Sequence, residues 1–60
     1  MTLKDLIRHL DSATKWYVYD YQNSDIIWWG KGNKNSCPFK LEVVTISTIN
    51  KGIKIYAKYC

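Results

Sequence analysis

The sequence has few of the residues that build metal centres. It contains one histidine, His9, and two cysteines, Cys37 and Cys60, which form no CxxC pair and have no histidine near them. A structural zinc site needs four ligands, so we expect no zinc, no other metal and no cofactor. Both cysteines are predicted to be reduced thiols, with a disulfide between them as the open alternative.

Catalytic pairs are lacking as well. The acidic residues are scattered over different predicted elements, and none forms a pair at a spacing typical of shared acid–base chemistry. His9 stands alone on the solvated side of a predicted helix. Asp20 and Asp25 flank a predicted turn, where aspartates usually cap the backbone amides of the loop. We therefore predict that the protein is not an enzyme and has no catalytic residues.

Long apolar runs are absent. No stretch approaches the roughly 20 apolar residues that a membrane-spanning helix needs, so we expect no contact with a membrane. Met1 leads directly into an amphipathic helix rather than into a signal peptide, which predicts a cytoplasmic protein. The composition is 47% hydrophobic and regularly patterned, which argues against disorder.

Negative charge is scarce. Nine Lys and Arg stand against five Asp and Glu, a net charge of +4 at pH 7. The whole excess lies in residues 21–60, where six lysines accompany only Asp25 and Glu42. This asymmetry favours an acidic partner, either nucleic acid or an acidic protein surface, with solubility alone as the alternative. A protein that mimics the negative charge of DNA is excluded.

The sequence does contain one helix pattern and four strand patterns. Thr2 and Asp5 form a capping box ahead of an apolar stripe with helical spacing, which predicts a helix over 2–10. Alternating and β-branched runs predict strands over 14–21, 26–31, 41–49 and 53–59. Leu41 and Ile49 are out of phase with Val44, which indicates a bulge or a late bend in the third strand. The turn after it is predicted to consist of residues 50–52.

These patterns predict one domain, residues 1–60, of the α+β class. We expect the short N-terminal helix to pack on one face of a four-stranded antiparallel sheet, in the chain order αββββ. The predicted core takes the helix stripe and one face of the strands: Leu3, Leu6, Ile7, Leu10, Trp16, Val18, Val44, Ile46, Ile53 and Ile55. The order of the strands stays open, and so does the choice between Trp28 and Trp29 as the buried residue of strand two.

A helix this short covers only part of one sheet face, and no predicted element covers the other. By alternation, this second face carries the predicted partner-binding residues: Tyr17, Tyr19, Tyr21, Trp29, Lys54, Tyr56 and Lys58. A basic loop that contains Lys31, Lys34 and Lys40 precedes the third strand. Three interpretations of this face stay open: rings that merely pack across neighbouring strands, a protein-binding surface, or a nucleic-acid surface on which bases stack.

The segments TLKDLIRHLD, KWYVYDYQNSDIIWWGK and LEVVTISTINKGIKIY resemble small, largely uncharacterised proteins of phages and mobile elements in low-GC Gram-positive bacteria. Lys, Asn and Ile supply 19 of the 60 residues, which is consistent with an AT-rich genome. Some phage proteins of this size are anti-CRISPR inhibitors. The resemblance therefore implies the cytoplasm of a bacterial host as the location, and it assigns a role to no particular residue.

Size, the absence of catalytic groups and the aromatic, basic second face together predict a binding protein. The first hypothesis is a phage-type inhibitor that binds a host defence protein or ribonucleoprotein, such as a CRISPR effector. The alternative is a nucleic-acid-binding module that uses the same face, with the basic loop as an electrostatic clamp. The oligomeric state stays open.

Overall fold

The computed structural model describes residues 1–33 and 37–59. One helix precedes four strands that form a single sheet, so the α+β class and the chain order are confirmed. The elements are α1 (Leu3–Arg8), β1 (Lys15–Asp20), β2 (Ile26–Lys31), β3 (Leu41–Ile49) and β4 (Gly52–Tyr59). Strands β2 and β3 have the predicted bounds, whereas α1 and β1 are shorter than predicted.

Helix α1 begins at the predicted cap. The Thr2 hydroxyl accepts a hydrogen bond from the backbone N–H of Asp5 at 3.3 Å, which satisfies one of the unpaired amides of the first turn. The helix ends after six residues, because His9 already has a non-helical backbone. Its apolar stripe faces the sheet, with Leu3 and Ile7 buried. A helix of this length is stable only because this stripe is docked.

The prediction of a purely antiparallel sheet is wrong, because the sheet is mixed. The strand order is β2-β1-β4-β3, and the central strands β1 and β4 run parallel to each other. The outer pairs, β1 with β2 and β3 with β4, are the two antiparallel hairpins. Parallel strands occur mostly where the sheet is well covered, and the two central strands supply most of the buried core.

The parallel centre dictates the path of the chain between β2 and β3. Lys31 at the end of β2 lies opposite Lys15, whereas Leu41 at the start of β3 lies opposite Tyr59. These positions are opposite corners of the sheet, so β2 ends and β3 begins on opposite edges and at opposite ends of the strands. Nine residues, 32–40, reach at most about 30 Å, which is enough for a sheet of four short strands.

The last part of this connection helps the helix to cover the sheet. We call the covered side the core face, and it carries Trp16, Val18, Ile55 and Ala57. Cys37 is half-buried against the core cluster. The Phe39 ring meets the rings of Trp28 and Tyr59 edge-on, at centroid distances of 6.1 and 6.0 Å. The alternative of a disulfide between Cys37 and Cys60 involves Cys60, which lies outside the described residues.

The core differs from the predicted one in strand β3. Leu41 is buried, whereas the predicted core residues Val44 and Ile46 are 46% and 43% exposed. The register shifts between Val43 and Thr45, so the indicated bulge is present and turns Leu41 and Val43 inward. Ile46 does lie opposite Ile55 on the core face. The helix begins beside Glu42, at the other end of β3, and is too short to cover Ile46.

Two glycines allow close approaches that fix the first hairpin and the last one. A Cβ on Gly30 would lie 2.5 Å from the Trp16 ring, so the indole packs directly on the backbone of β2. The indole N–H then donates a buried hydrogen bond to the Gly32 carbonyl at 3.0 Å. Gly52 has φ 146°, and a Cβ at this position would clash with the Lys15 carbonyl. It opens β4 opposite Ile49, so the turn before it has two residues rather than the predicted three.

Candidate partner-binding face

The side of the sheet opposite the core face carries a continuous aromatic and basic surface, which we call the open face. In the first row of paired residues, Tyr17 lies between Trp29 and Lys54. In the next row, Tyr19 lies beside Tyr56. The open face consists of Lys15, Tyr17, Tyr19, Ile26, Trp29, Lys31, Glu42, Thr45, Ser47, Lys54, Tyr56 and Lys58.

At the centre of the open face, one lysine sits on two tyrosine rings. The rings of Tyr19 and Tyr56 are 5.9 Å apart and tilted by 37°. The Lys54 ammonium lies 4.9 Å from the Tyr19 centroid and 5.4 Å from the Tyr56 centroid, within cation–π distance of both. A side-chain hydrogen bond with Tyr56, and to a lesser extent the charges of both phenols, raises the pKa of Lys54 above its ordinary value.

At the β2 edge of the open face, one ring is largely uncovered. Trp29 is 61% exposed and shares a shallow cleft with Lys15, Tyr17 and Lys31. Its neighbour Trp28 is half-buried against the core instead, which settles the choice that the sequence left open. Pairing explains this result, since Trp28 lies opposite Val18 and therefore shares the core face with it.

The open face is positively charged. It carries Lys15, Lys31, Lys54 and Lys58 against a single acid, Glu42. The Glu42 carboxylate lies 3.6 Å from the Lys58 ammonium, but both side chains are about half exposed, so this pair contributes little stability. Of the other four acids, Asp5 lies in the helix, Asp11 after it, Asp20 at the end of β1 and Asp25 in the first hairpin turn. The charge asymmetry of the sequence therefore becomes an asymmetry between two faces.

Two predicted binding residues lie outside the paired rows of the open face. Tyr21 follows the end of β1, is 45% exposed and shares a shallow cleft with Lys58 and Tyr59. Lys40 lines a different cleft, together with Thr2 and Lys4 beside the start of the helix. The predicted basic loop is thus divided, with Lys31 on the open face and Lys40 away from it. Lys34 lies outside the described residues.

In strands β1 and β2, sequence reasoning missed Lys15 and Ile26 as members of the open face. Lys15 has the same parity as Tyr17 and Tyr19 along β1, so simple alternation would have included it. Simple alternation along the second strand places Ile26 on the same face as Trp28. The register of β2 shifts opposite Val18 and Tyr19, which brings Ile26 beside Tyr19 rather than onto the core face.

The candidate ligating and acid–base side chains are dispersed over the described part of the chain, and two of them make local hydrogen bonds. Within residues 1–33 and 37–59, no three His, Cys, Asp or Glu side chains are grouped to hold a metal ion. Asp20 behaves as a turn cap, since its carboxylate accepts a hydrogen bond from the Gln22 N–H at 2.8 Å. The His9 ring is hydrogen-bonded to the Asp5 carbonyl of its own helix at 2.8 Å.

One further feature concerns membranes. In the same described ranges, no helix combines the length and the apolar character needed to cross a lipid bilayer.

Comparisons with known proteins give no relative for this chain. A scan against protein-family models found no matching family, and searches of curated proteins and of solved structures found no significant match. The function therefore has to be inferred from the open face itself.

Proposed function

We propose that this chain is a non-enzymatic binding protein that docks its open face on an acidic surface of another protein. The main observation behind this proposal is that four lysines and an exposed tryptophan share one uncovered sheet face with one acid. Tryptophan and tyrosine dominate the energetics of protein interfaces, and complementary charge favours an acidic partner. A continuous exposed patch on so small a domain is typical of an interaction site.

The position of Lys54 favours a protein over a nucleic acid as this partner. Proteins that bind single strands stack successive bases on accessible aromatic rings. Here the Lys54 ammonium lies over the rings of both Tyr19 and Tyr56, so base stacking would have to displace it. Trp29 is left as the one strongly exposed ring among the described members of the open face. A single ring of this kind suits an interface anchor better than a stacking series.

Within this class, the narrower proposal is a phage-type inhibitor of a host defence protein, with a CRISPR effector as one such target. This step rests on the resemblance of the sequence and not on the comparisons. Its physical support is limited to size: a rigid domain of 60 residues can block a functional surface by occupying it.

Affinity capture with matched variants tests the proposal. The immobilised wild-type protein is incubated with lysate of a Gram-positive host, and bound proteins are quantified by mass spectrometry. We expect Trp29→Ala and Lys54→Ser each to lose the same acidic partner, because both alter the open face. Lys51→Ser is the control, since it removes one lysine from the turn outside this face. Equal capture by all four proteins would contradict the proposal.

Single-stranded nucleic acid is the second candidate, supported by the cleft that Trp29 shares with Lys15, Tyr17 and Lys31. One base could stack on the indole while lysines contact the adjacent phosphates. A fluorescent oligonucleotide should then show increased anisotropy at about 50 mM salt and lose it at about 200 mM, because binding releases counterions. An unchanged anisotropy at the lower salt concentration would exclude this candidate.

A further inference from the structure

Strand β3 has an outer edge that is only partly covered. Among the described residues, Met1 and Thr2 lie along this edge. Thr2 forms a β-bridge with Glu42, and the Val43 N–H donates a hydrogen bond to the Met1 carbonyl at 2.8 Å. Beyond that point, residues 44–49 form the edge of the sheet. Unpaired backbone groups on such an edge are a template for another strand.

The residues of this edge carry none of the usual protection. From Val43 to Ile49 the sequence is VVTISTI, which has no charge, no proline and no glycine. Lysine, proline and bulges are the devices that commonly prevent strands from pairing at an edge. The only such device here is the bulge at Val44, at the beginning of the exposed part. Val44, Ile46 and Ile49 are 46%, 43% and 38% exposed, so apolar area accompanies the unpaired backbone.

The opposite edge of the same sheet is protected. Strand β2 contains Gly30 and ends in Lys31, and its register with β1 is broken at Ile27. Two antiparallel copies of β2 would lose pairing at the irregularity, and Gly30 would add no side-chain contact across the strands. The two edges therefore differ in their protection: β2 carries a glycine, a lysine and an irregularity, whereas segment 45–49 of β3 carries none of these.

We propose that two copies of this chain pair antiparallel through the outer edges of β3, which makes a continuous eight-stranded sheet. An isologous two-fold contact needs a surface that is complementary to itself. The segment 45–49 meets this requirement, because threonine, serine and isoleucine pair favourably with one another across antiparallel strands. Ser47 lies at the centre of the segment and close to the two-fold axis.

This geometry has a consequence for the open face. A two-fold axis that relates antiparallel edge strands of one continuous sheet is perpendicular to that sheet. Both copies therefore present the same side in the same direction, and the two open faces form one doubled surface. Binding to a partner with two acidic sites would then gain from the effective concentration of the second site. The dimer itself does not depend on the proposed function of that face.

Sedimentation equilibrium of the full chain tests the dimer directly. Over about 10 µM to about 1 mM, the range in which a weak interface becomes populated, the wild-type mass should rise from 7.1 kDa towards twice that value. Ser47→Lys should weaken dimerisation at least about tenfold, since two lysines then meet near the axis. Ala13→Lys adds the same charge at an exposed position away from β3 and should dimerise as the wild type does.

A charge-complementation experiment separates self-pairing from a general loss of folding. Ser47→Lys and Ser47→Glu should each be monomeric, and an equimolar mixture should recover a dimer with one copy of each. Far-UV circular dichroism checks that each variant is folded, and Thr45→Lys replaces Ser47→Lys if that variant is not.

Three results would each overturn the proposal. The first is a wild-type protein that stays monomeric up to about 1 mM, the upper end of the weak-affinity range. The second is a dimer that Ser47→Lys and Thr45→Lys leave intact while Trp29→Ala dissolves it, which would place the contact on the open face. The third is growth beyond the dimer, because a two-fold contact is closed.

Discussion

The two faces of the sheet are built from the same four strands, yet they have opposite surroundings. On the core face, Trp16, Val18, Ile55 and Ala57 are fully buried beneath a six-residue helix and the chain that leads into β3. On the open face, the contacts of the residues next to them in sequence, such as Tyr19 with Tyr56 and Lys58 with Glu42, are with other residues of that face. Alternation along a strand is therefore sufficient to turn one short chain into a core and a surface.

The difference also separates stability from the proposed function. Buried side chains of the core face hold the domain together, because removing them leaves cavities in a small core. Residues of the open face are held by cross-strand contacts, each of which contributes only about 0.2–1 kcal/mol. A change on one face should consequently affect folding, and the same change on the other should affect binding.

The largest expected effect comes from replacing a tryptophan of the core face by alanine, compared with the same replacement on the open face. Trp16→Ala removes a fully buried indole together with its hydrogen bond to the Gly32 carbonyl, and it should cost about 3–5 kcal/mol. A domain of this size rarely has more stability than that, so its thermal transition should be lost. Trp29→Ala, the control, should still melt cooperatively in circular dichroism. An unfolded Trp29→Ala beside a folded Trp16→Ala would reverse the two faces.

Gly30→Ala tests the close contact between β2 and the Trp16 ring. The new methyl group would lie 2.5 Å from a ring carbon, and such overpacking typically costs about 1–3 kcal/mol. The melting temperature should fall by about 4–8 °C for each kcal/mol. Adding Trp16→Phe provides a smaller ring, so the double variant should lose less stability than the sum of the two single changes. Strict additivity would show that the indole does not limit this site.

Replacing Tyr17, Tyr19 and Tyr21 together by Thr should have a smaller effect on stability. Each substitution at the protein surface usually changes stability by about 0.5 kcal/mol or less, and Thr retains strand propensity. The lost contact between Tyr19 and Tyr56 adds up to about 1 kcal/mol. We expect a folded protein that no longer captures its partner. Tyr59→Thr, an exposed tyrosine on the core-face side, is the control and should keep the partner.

The smallest effect concerns the protonation of Lys54. Its pKa is raised above 10.5, first by the hydrogen bond with Tyr56. A lysine whose pKa is higher in the folded state contributes stability below the unfolded pKa and loses it as the pH rises through the folded pKa. Carbon NMR titration should therefore show Lys54 deprotonating at a pH above 10.5. Tyr56→Phe should move the Lys54 midpoint back towards 10.5, and an unmoved midpoint would contradict the contact.

Local features of the structure were predictable from the sequence because they depend on neighbouring residues. The Thr2 cap is set by its own hydroxyl, and the bounds of β2 and β3 follow from runs of strand-forming residues. The bulge in β3 was visible as a break in alternation. Alternation also separated Trp16 and Val18 from the tyrosines of β1, and these residues do lie on opposite faces.

Contacts between distant segments decided the remainder. Alternation gives the two faces of a strand, but it carries no information about which strand lies beside it or in which direction. The parallel pairing of β1 with β4 therefore came only from the tertiary structure, and with it the placement of the end of β2 and the start of β3 at opposite corners of the sheet. Ile46 is exposed because the helix is too short to cover it, although the alternation of β3 predicted that Ile46 is buried. Pairing with β1 likewise placed Trp28 in the core and Trp29 on the open face, because each tryptophan takes the side of the residue opposite it.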